Sequence, residues 1–204
     1  MKAFANAAKE KNNDPLDALH SVFDWLEIIV LSFMIVLFLI TFVVRHSPVD
    51  GSSMVPTLQN KDILLISNIG YTPQRGDIIV VQDDGDLIGL NEPLVKRVIA
   101  VGGDTVDINF DTWTTTVTTA DGEIIVYENE PYVNHTTAPM RNPTFSLQYP
   151  VHVEEGHLFV MGDNRNGSTD SRDGRVGILD ERYVVGHVLF RIFPLNRFGS
   201  LLDS

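Results

Sequence analysis

The stretch Leu94–Val101 reads LVKRVIAV, eight residues in which apolar side chains surround two charged ones. Such a run, rich in valine and isoleucine, predicts a β-strand. Alternate side chains of a strand lie on opposite faces, so Lys96 shares its face with apolar residues only: Leu94, Val98 and Ala100. The opposite face carries Val95, Arg97, Ile99 and Val101. Burial lowers the pKa of a lysine and makes it a general base. The segment by itself favours the plainer alternative, a lysine whose ammonium group reaches water.

Similar runs recur along the chain beyond residue 50, each bounded by turn residues such as Gly, Asp or Pro. They are Ile63–Ile66, Asp77–Val81, Glu123–Tyr127, His157–Val160 and Val184–Phe193. Runs of this length and composition are typical of strands. No window beyond residue 50 shows a clear 3.6-residue periodicity. The sequence therefore predicts a mainly β body over residues 45–204.

The segment from Phe110 to about Tyr149 differs from the rest of this body. It is rich in Thr, Asn and Pro and has few long apolar runs. We expect residues 110–149 to form a small inserted subdomain between two parts of the main sheet. The acidic run Asp83–Asp86 lacks the spacing of a calcium loop, which favours the tip of a hairpin.

A long apolar segment precedes the β body. Ile28–Val44 contains only two polar residues, and extension back to Phe23 gives 22 positions. About 20 apolar residues span the hydrocarbon core of a bilayer, so residues 23–44 are predicted to be a transmembrane helix. A cleaved signal peptide would have a shorter apolar region, and a core helix would have a polar face. Residues 1–22 are expected to be a loose tail that becomes helical near Asp14-Pro15.

Composition excludes several classes of protein. The 204 residues carry a net charge of −12, which disfavours binding to nucleic acid. The chain has no cysteine, so disulfides, thiolate zinc sites and a cysteine nucleophile are excluded. Positive charges on the two sides of the apolar segment are nearly balanced, which leaves its orientation open.

Two further segments contain residue types suited to catalysis. Val49–Leu58 includes Gly51-Ser52-Ser53, a turn in which a serine could act as nucleophile and backbone N–H groups could face a carbonyl. Met161–Arg172 is dense in Gly, Asp, Asn, Ser and Arg. Alone, the Gly-Ser-Ser turn is more often structural.

The six histidines do not supply an obvious base or metal site. They are His20, His46, His135, His152, His157 and His187. Two flank the apolar segment, and the others lie in ordinary strand or loop contexts. A Ser-His-Asp triad is therefore unsupported, and neither a metal nor another cofactor is expected.

Taken together and in order, these segments resemble the type I signal peptidases (leader peptidases), membrane-bound serine proteases with a Ser-Lys dyad. The matching blocks are Gly51–Leu58, Lys96-Arg97 followed by Gly103-Asp104, Gly162–Arg165 and Asp170–Arg172. The preceding apolar segment has the same place in the family. The resemblance covers residues 25–195 and implies antiparallel β-sheets in the signal-peptidase/LexA-like fold, with a small inserted subdomain.

The resemblance implies a role for three residues at the centre of the site. Ser53 is expected to be the nucleophile and Lys96 the general base. Ser168 is expected to hold the Lys96 amine in place. The Ser53 N–H would form part of the oxyanion hole. Gly51 stands where some members of the family have a second hydroxyl donor, which resembles the Gram-positive type and leaves that donor unassigned.

The resemblance also implies supporting ion pairs and a substrate pocket. Asp170 is expected to pair with Arg172, and Arg97 with Asp163. Shallow apolar pockets for small residues at −1 and −3 of the substrate are expected to include Val49, Met54, Leu58, Leu94 and Val95.

The resemblance further implies a place in the cell and the partners of the chain. The tail would be cytoplasmic, the β body extracytoplasmic, and the partners the bilayer and signal peptides of exported preproteins. Nine residues from Val44 to Ser53 span at most about 30 Å, so the serine would lie near the membrane surface. Two alternatives are a self-cleaving regulator of the LexA type and a membrane-anchored β domain that only binds. The apolar segment and the acidic charge disfavour the first, and the presence of all catalytic residue types disfavours the second.

Overall fold

The computed structural model describes residues 15–38, 45–82, 93–136 and 138–202. The chain divides into two compact units, residues 1–42 and residues 43–204. The predicted hairpin tip at Asp83–Asp86 lies outside the described residues.

The described residues of the first unit form one helix, α1 (Pro15–Phe38). Proline suits the first position of a helix because its missing N–H needs no partner there. The helix thus begins within the segment expected as a tail, at the Asp14-Pro15 signal. Its window His20–Phe38 has a mean hydropathy of 2.1, is exposed throughout, and is long and apolar enough to cross a membrane.

The described residues of the second unit form twelve strands. They are β1 (Arg45–Pro48), β2 (Ile63–Ser67), β3 (Ile78–Val81), β4 (Leu94–Val101), β5 (Thr105–Asn109), β6 (Thr114–Thr118), β7 (Ile124–Tyr127), β8 (Val151–His152), β9 (His157–Met161), β10 (Leu179–Asp180), β11 (Val184–Phe193) and β12 (Gly199–Ser200). Two short 3₁₀ turns, Glu181–Tyr183 and Leu195–Arg197, flank β11. The prediction of a mainly β body is confirmed.

Eight of the strands form a large sheet in the order β1-β2-β11-β3-β4-β9-β10, with β12 paired to β11. Every pairing is antiparallel. β4 lies between β3 and β9, and only its two end residues are not fully buried. Its register against β9 shifts between Val98 and Ala100, so the simple alternation of faces ends before the strand does.

The other four strands form a small antiparallel sheet in the order β7-β6-β5-β8. This sheet extends beyond the predicted insertion at both ends, because β5 precedes residue 110 and β8 follows residue 149. β6 reads TTTVT, and its alternate residues Thr115 and Val117 are buried.

Three apolar clusters form the core of the second unit and fix the position of β4. One cluster joins the two sheets and includes Ile99 of β4, together with Trp113 and Phe159. A second cluster includes Val95 and holds the loop between β1 and β2, and a third includes Val98. Since all three clusters contact β4, its residues in between, including Lys96, are removed from water.

Candidate active site

Ser53 lies in the loop that joins β1 to β2. Gly51 adopts a φ of +92°, a conformation that other residues rarely take, and its N–H donates to Asn60 Oδ1 at 3.3 Å. Met54 and Leu58 are buried in the second cluster, and the Leu58 N–H donates to the Met54 carbonyl at 2.8 Å. The loop is therefore anchored by its apolar side chains, while the Ser53 side chain stays half-buried at the edge of the body.

Lys96 approaches Ser53 from the middle of β4, 43 positions later in the chain. Its Nζ lies 2.9 Å from Ser53 Oγ and donates to the Val95 carbonyl at 3.1 Å. Lys96 is 2% exposed. The alternative of a lysine that reaches water from a half-buried strand is wrong, because the strand is covered on both sides.

Burial makes the neutral form of Lys96 more accessible than that of a lysine in water. Burial removes water from the ammonium form and lowers the pKa of Lys96 to about 8. The positive charge of Arg172 lowers this pKa as well, whereas Asp170 and Asp163 raise it. The amine is therefore partly unprotonated near neutral pH and can accept a proton from Ser53 Oγ across the same 2.9 Å.

Arg97, next to Lys96, forms a buried ion pair with Asp163 in the loop after β9. Its Nε and one terminal nitrogen donate to the two carboxylate oxygens of Asp163 at 2.9 and 2.8 Å. The guanidinium also donates to the Gly76 carbonyl and stacks over the ring of Tyr132, 3.9 Å from its centroid. Thr57 Oγ1 donates to the same Asp163 carboxylate, so the pair also holds the loop between β1 and β2 that carries Ser53.

Asp170 and Arg172 form a second buried pair, with both carboxylate oxygens 2.8 Å from guanidinium nitrogens. Burial alone would raise the pKa of Asp170, but the charge and hydrogen bonds of Arg172 hold it below the usual range. Asp170 also accepts from the Gly162 N–H at 2.9 Å, and Arg172 donates to the Arg165 carbonyl at 2.7 Å. The pair thus holds the backbone of the loop after β9 at Gly162 and Arg165. Both expected ion pairs are present.

Ser168 lies close to the loop that carries Ser53 but makes no hydrogen bond to Lys96. A Cβ placed on Gly162 would lie 2.3 Å from Ser168 Oγ and 2.4 Å from the Ser53 carbonyl oxygen. Gly162 therefore packs between the two serines and leaves no room for a side chain. The buried Ser168 hydroxyl makes no hydrogen bond of ordinary geometry, although its proximity helps to keep the pKa of Asp170 low. Its expected role, holding the Lys96 amine, stays a prediction.

The backbone around Ser53 is held from the loop after β9. The Asn164 N–H donates to the Ser53 carbonyl at 2.9 Å, and Asn164 Nδ2 donates to the Ser52 carbonyl at 3.1 Å. Within the described ranges of the chain, the Ser53 N–H itself donates to no protein acceptor. This arrangement leaves that N–H available to a substrate carbonyl.

Four of the five residues expected to line the substrate pocket belong to the second cluster. Val49, Met54, Leu58 and Val95 are 0 to 7% exposed, whereas Leu94 at the start of β4 is partly exposed. Leu58 is fully covered and can contribute only to the floor of a pocket. Their contact with substrate stays a prediction.

Other candidates for a base or a metal site lie apart from this arrangement. His157 Nδ1 contacts the Glu155 carbonyl at 3.1 Å, and among the described residues no histidine hydrogen-bonds Ser53. The described parts of the chain contain no group of three or more His, Asp or Glu side chains that could hold a metal ion.

Sequence reasoning gave no role to three residues that contact the site. Thr57, Gly162 and Asn164 all lie in the quoted motif segments, and their position there is the only signal that could have singled them out. Their functions depend on backbone contacts and close packing, which residue types alone do not reveal.

Comparison with known proteins identifies one family. Its model, described as signal peptidase, peptidase S26, matches residues 22–193. Among similar curated proteins, "Probable signal peptidase I-1" of Synechocystis sp. is 34% identical over 181 residues, 85% of this chain and 84% of that protein. "Signal peptidase I" of Bacillus licheniformis is 34% identical over 183 residues, 87% of this chain and 91% of that protein.

Among solved structures, the crystal structure of a signal peptidase I from Enterococcus faecalis V583 is 28% identical to this chain. The match covers 57% of this chain and 97% of that one, with a TM-score of 0.38.

Proposed function

This chain belongs to the signal peptidase family, peptidase S26, and on that premise we propose that it removes signal peptides from exported preproteins with a Ser53–Lys96 dyad. Membership makes it a peptide-bond hydrolase that processes signal peptides. The observation that carries the dyad is the 2.9 Å separation of Lys96 Nζ and Ser53 Oγ at a lysine whose burial lowers its pKa to about 8.

The chemistry follows from these two groups. Neutral Lys96 takes the proton of Ser53, and Oγ attacks the carbonyl carbon of the scissile peptide to form a tetrahedral oxyanion. The Lys96 ammonium then gives its proton to the leaving amine, and the C–N bond breaks to leave an acyl-enzyme. A water molecule, deprotonated by Lys96, attacks the ester. The Lys96 ammonium then returns the proton to Ser53 Oγ as the ester bond breaks, which releases the signal peptide and restores Ser53.

The Ser53 N–H is the backbone donor to the oxyanion. It has no protein acceptor among the described residues, and both carbonyls beside Ser53 are bound by Asn164. The N–H of Gly51 is directed to Asn60, which disfavours it as the second donor. Such preorganised donors stabilise charge that develops in the transition state.

Specificity would come from the apolar surface beside the dyad. Val49 and Val95 each keep a small exposed fraction, 5% and 7%, next to a fully covered Leu58. A shallow surface of this kind accommodates small side chains at −1 and −3. The helix α1 supplies association with the membrane, with the N-terminal tail in the cytoplasm and the β body outside.

The test is cleavage of a preprotein by the purified full chain in detergent, with the cut site read by mass spectrometry. We expect one cut after a small residue in wild type and none with Ser53→Ala. Substrates with Ala or Trp at −1 test the pocket, and equal rates for the two would contradict it. Intact preprotein after prolonged incubation with folded wild type would contradict the proposed function.

A further inference from the structure

Asn164 binds the two peptide groups that flank the nucleophile. Its N–H donates to the Ser53 carbonyl at 2.9 Å, and its side-chain Nδ2 donates to the Ser52 carbonyl at 3.1 Å. The two partners lie 111 and 112 positions away, so the contacts join separate parts of the chain. One residue thus determines the position of the backbone on both sides of Ser53.

The amide of Asn164 is itself oriented by its own loop. Its Oδ1 accepts from the Gly167 N–H at 3.1 Å, and its carbonyl accepts from the same N–H at 2.9 Å. A Cβ on Gly167 would lie 2.4 Å from Nδ2, so Gly167 packs directly against the amide. Because Oδ1 faces a donor, Nδ2 must face Ser52, and the direction of the side chain is fixed.

The peptide between Ser52 and Ser53 connects Asn164 to the reacting atoms. A trans peptide is planar, with its C=O and N–H on opposite sides. Holding the Ser52 carbonyl therefore also fixes the direction of the Ser53 N–H. This carbonyl accepts a second bond, from the Val55 N–H at 3.2 Å. Donors on a carbonyl polarise the peptide and strengthen its N–H as a donor.

We infer that Asn164 is a positioning residue for catalysis, whose side-chain amide aims and polarises the Ser53 N–H toward the oxyanion. The inference rests on the proposed function and adds to it the residue that orders the oxyanion donor. It predicts that Asn164 acts on the transition state rather than on substrate binding or on the base. Lys96 and its hydrogen bonds do not involve Asn164.

The test compares Asn164→Asp, Asn164→Ala and the control Asn166→Ala in the full chain, with a signal-peptide substrate. Asn164→Asp keeps the acceptor for Gly167 but places an oxygen in the position of the donor to Ser52. Asn166 is in the same loop, and its side chain accepts from the Arg141 N–H instead. Rates are divided by the folded fraction from circular dichroism, so a partly unfolded variant still gives an answer.

We expect kcat to fall by about 10- to 100-fold in both Asn164 variants, because removal of an entire oxyanion donor costs about 100-fold or more. KM should stay within about threefold of the wild-type value. The apparent pKa at which kcat rises with pH should be the same for Asn164→Ala and wild type. Asn166→Ala should keep wild-type kcat. A near-wild-type kcat for Asn164→Asp would overturn the inference. A changed KM at constant kcat would also overturn it, as would a shift in the apparent pKa at which kcat of Asn164→Ala rises with pH. If wild type itself is inactive, the proposed function fails, whereas active wild type with unaffected variants overturns only the inference.

Discussion

The guanidinium of Arg97 and the carboxylate of Asp163 form a two-point ion pair in which each side chain is only 1% exposed. Arg97 follows Lys96 directly in β4, and Asp163 lies between Gly162 and Asn164 in the loop after β9. The pair therefore connects the strand that carries the base to the loop that holds the backbone of the nucleophile.

Removal of Asp163 should destabilise the protein strongly. Asp163→Ala leaves the Arg97 charge buried without its carboxylate, which typically costs about 3–5 kcal/mol of unfolding free energy. Thermal and urea unfolding of the full chain in detergent, followed by circular dichroism, measures the loss. Asp180→Ala is the control, because its partner Arg182 is 85% exposed and water can take the place of the lost carboxylate, so the change should matter far less. Equal stability of Asp163→Ala and wild type would contradict the structural role of the pair.

A side chain at position 162 should lower turnover strongly. The Cβ of Gly162→Ala would lie 2.4 Å from the Ser53 carbonyl oxygen and 2.3 Å from Ser168 Oγ, so the loop that carries Ser53 must move. A shift of about 1 Å at a reacting group can cost about 100-fold in rate. Gly199→Ala, which meets nothing within 4 Å, is the control. Wild-type turnover by Gly162→Ala would show that the loop tolerates displacement.

The two serines beside Asp170 should have different effects. Ser168→Ala is expected to lower turnover, because it removes the hydroxyl expected to hold the Lys96 amine. Ser171 Oγ accepts from the Val160 N–H at 3.0 Å in the core, so Ser171→Ala should cost about 1–3 kcal/mol of stability and leave turnover of the folded protein largely intact. Kinetics and unfolding curves of both variants check this, and the reverse pattern would contradict both assignments.

The β body should retain activity without the helix. Ser53, Lys96 and their supporting ion pairs all lie in residues 43–204, which form a compact unit with its own apolar clusters. A chain lacking residues 1–44 should cut short peptides in solution but lose more activity on membrane-embedded preproteins. Complete loss on peptides by a folded truncated chain would mean that the helix takes part in the chemistry.

Long strands and motif positions could be predicted from the sequence, whereas backbone contacts could not. Leu94–Val101 and Val184–Phe193 have the predicted bounds, because segments rich in β-branched and aromatic residues favour strands. β6 is not predicted as a strand, because its run of threonines is also typical of a loop, although alternate residues are buried.

In the site, too, the residue types could be predicted from the sequence, whereas their burial and backbone contacts could not. The residues of Leu94–Val101 alone favour a solvated Lys96, and only the resemblance to a family indicates that it is a base. Three apolar clusters around β4 bury the lysine, and they depend on contacts between distant parts of the chain. The role of Asn164 was invisible for a similar reason, since its partners are backbone carbonyls.

The most direct test of the Ser53–Lys96 dyad is the pH dependence of turnover in wild type, Lys96→Arg and the control Lys61→Arg. Because burial lowers the pKa of Lys96 to about 8, wild-type activity should rise with pH through that value, well below the usual lysine value of 10.5. Lys96→Arg should be nearly inactive at every pH, since a guanidinium stays protonated and accepts no proton. The exposed Lys61→Arg should follow wild type. A folded Lys96→Arg that keeps more than about a tenth of wild-type turnover would contradict the dyad, because losing a general base costs at least about 100-fold.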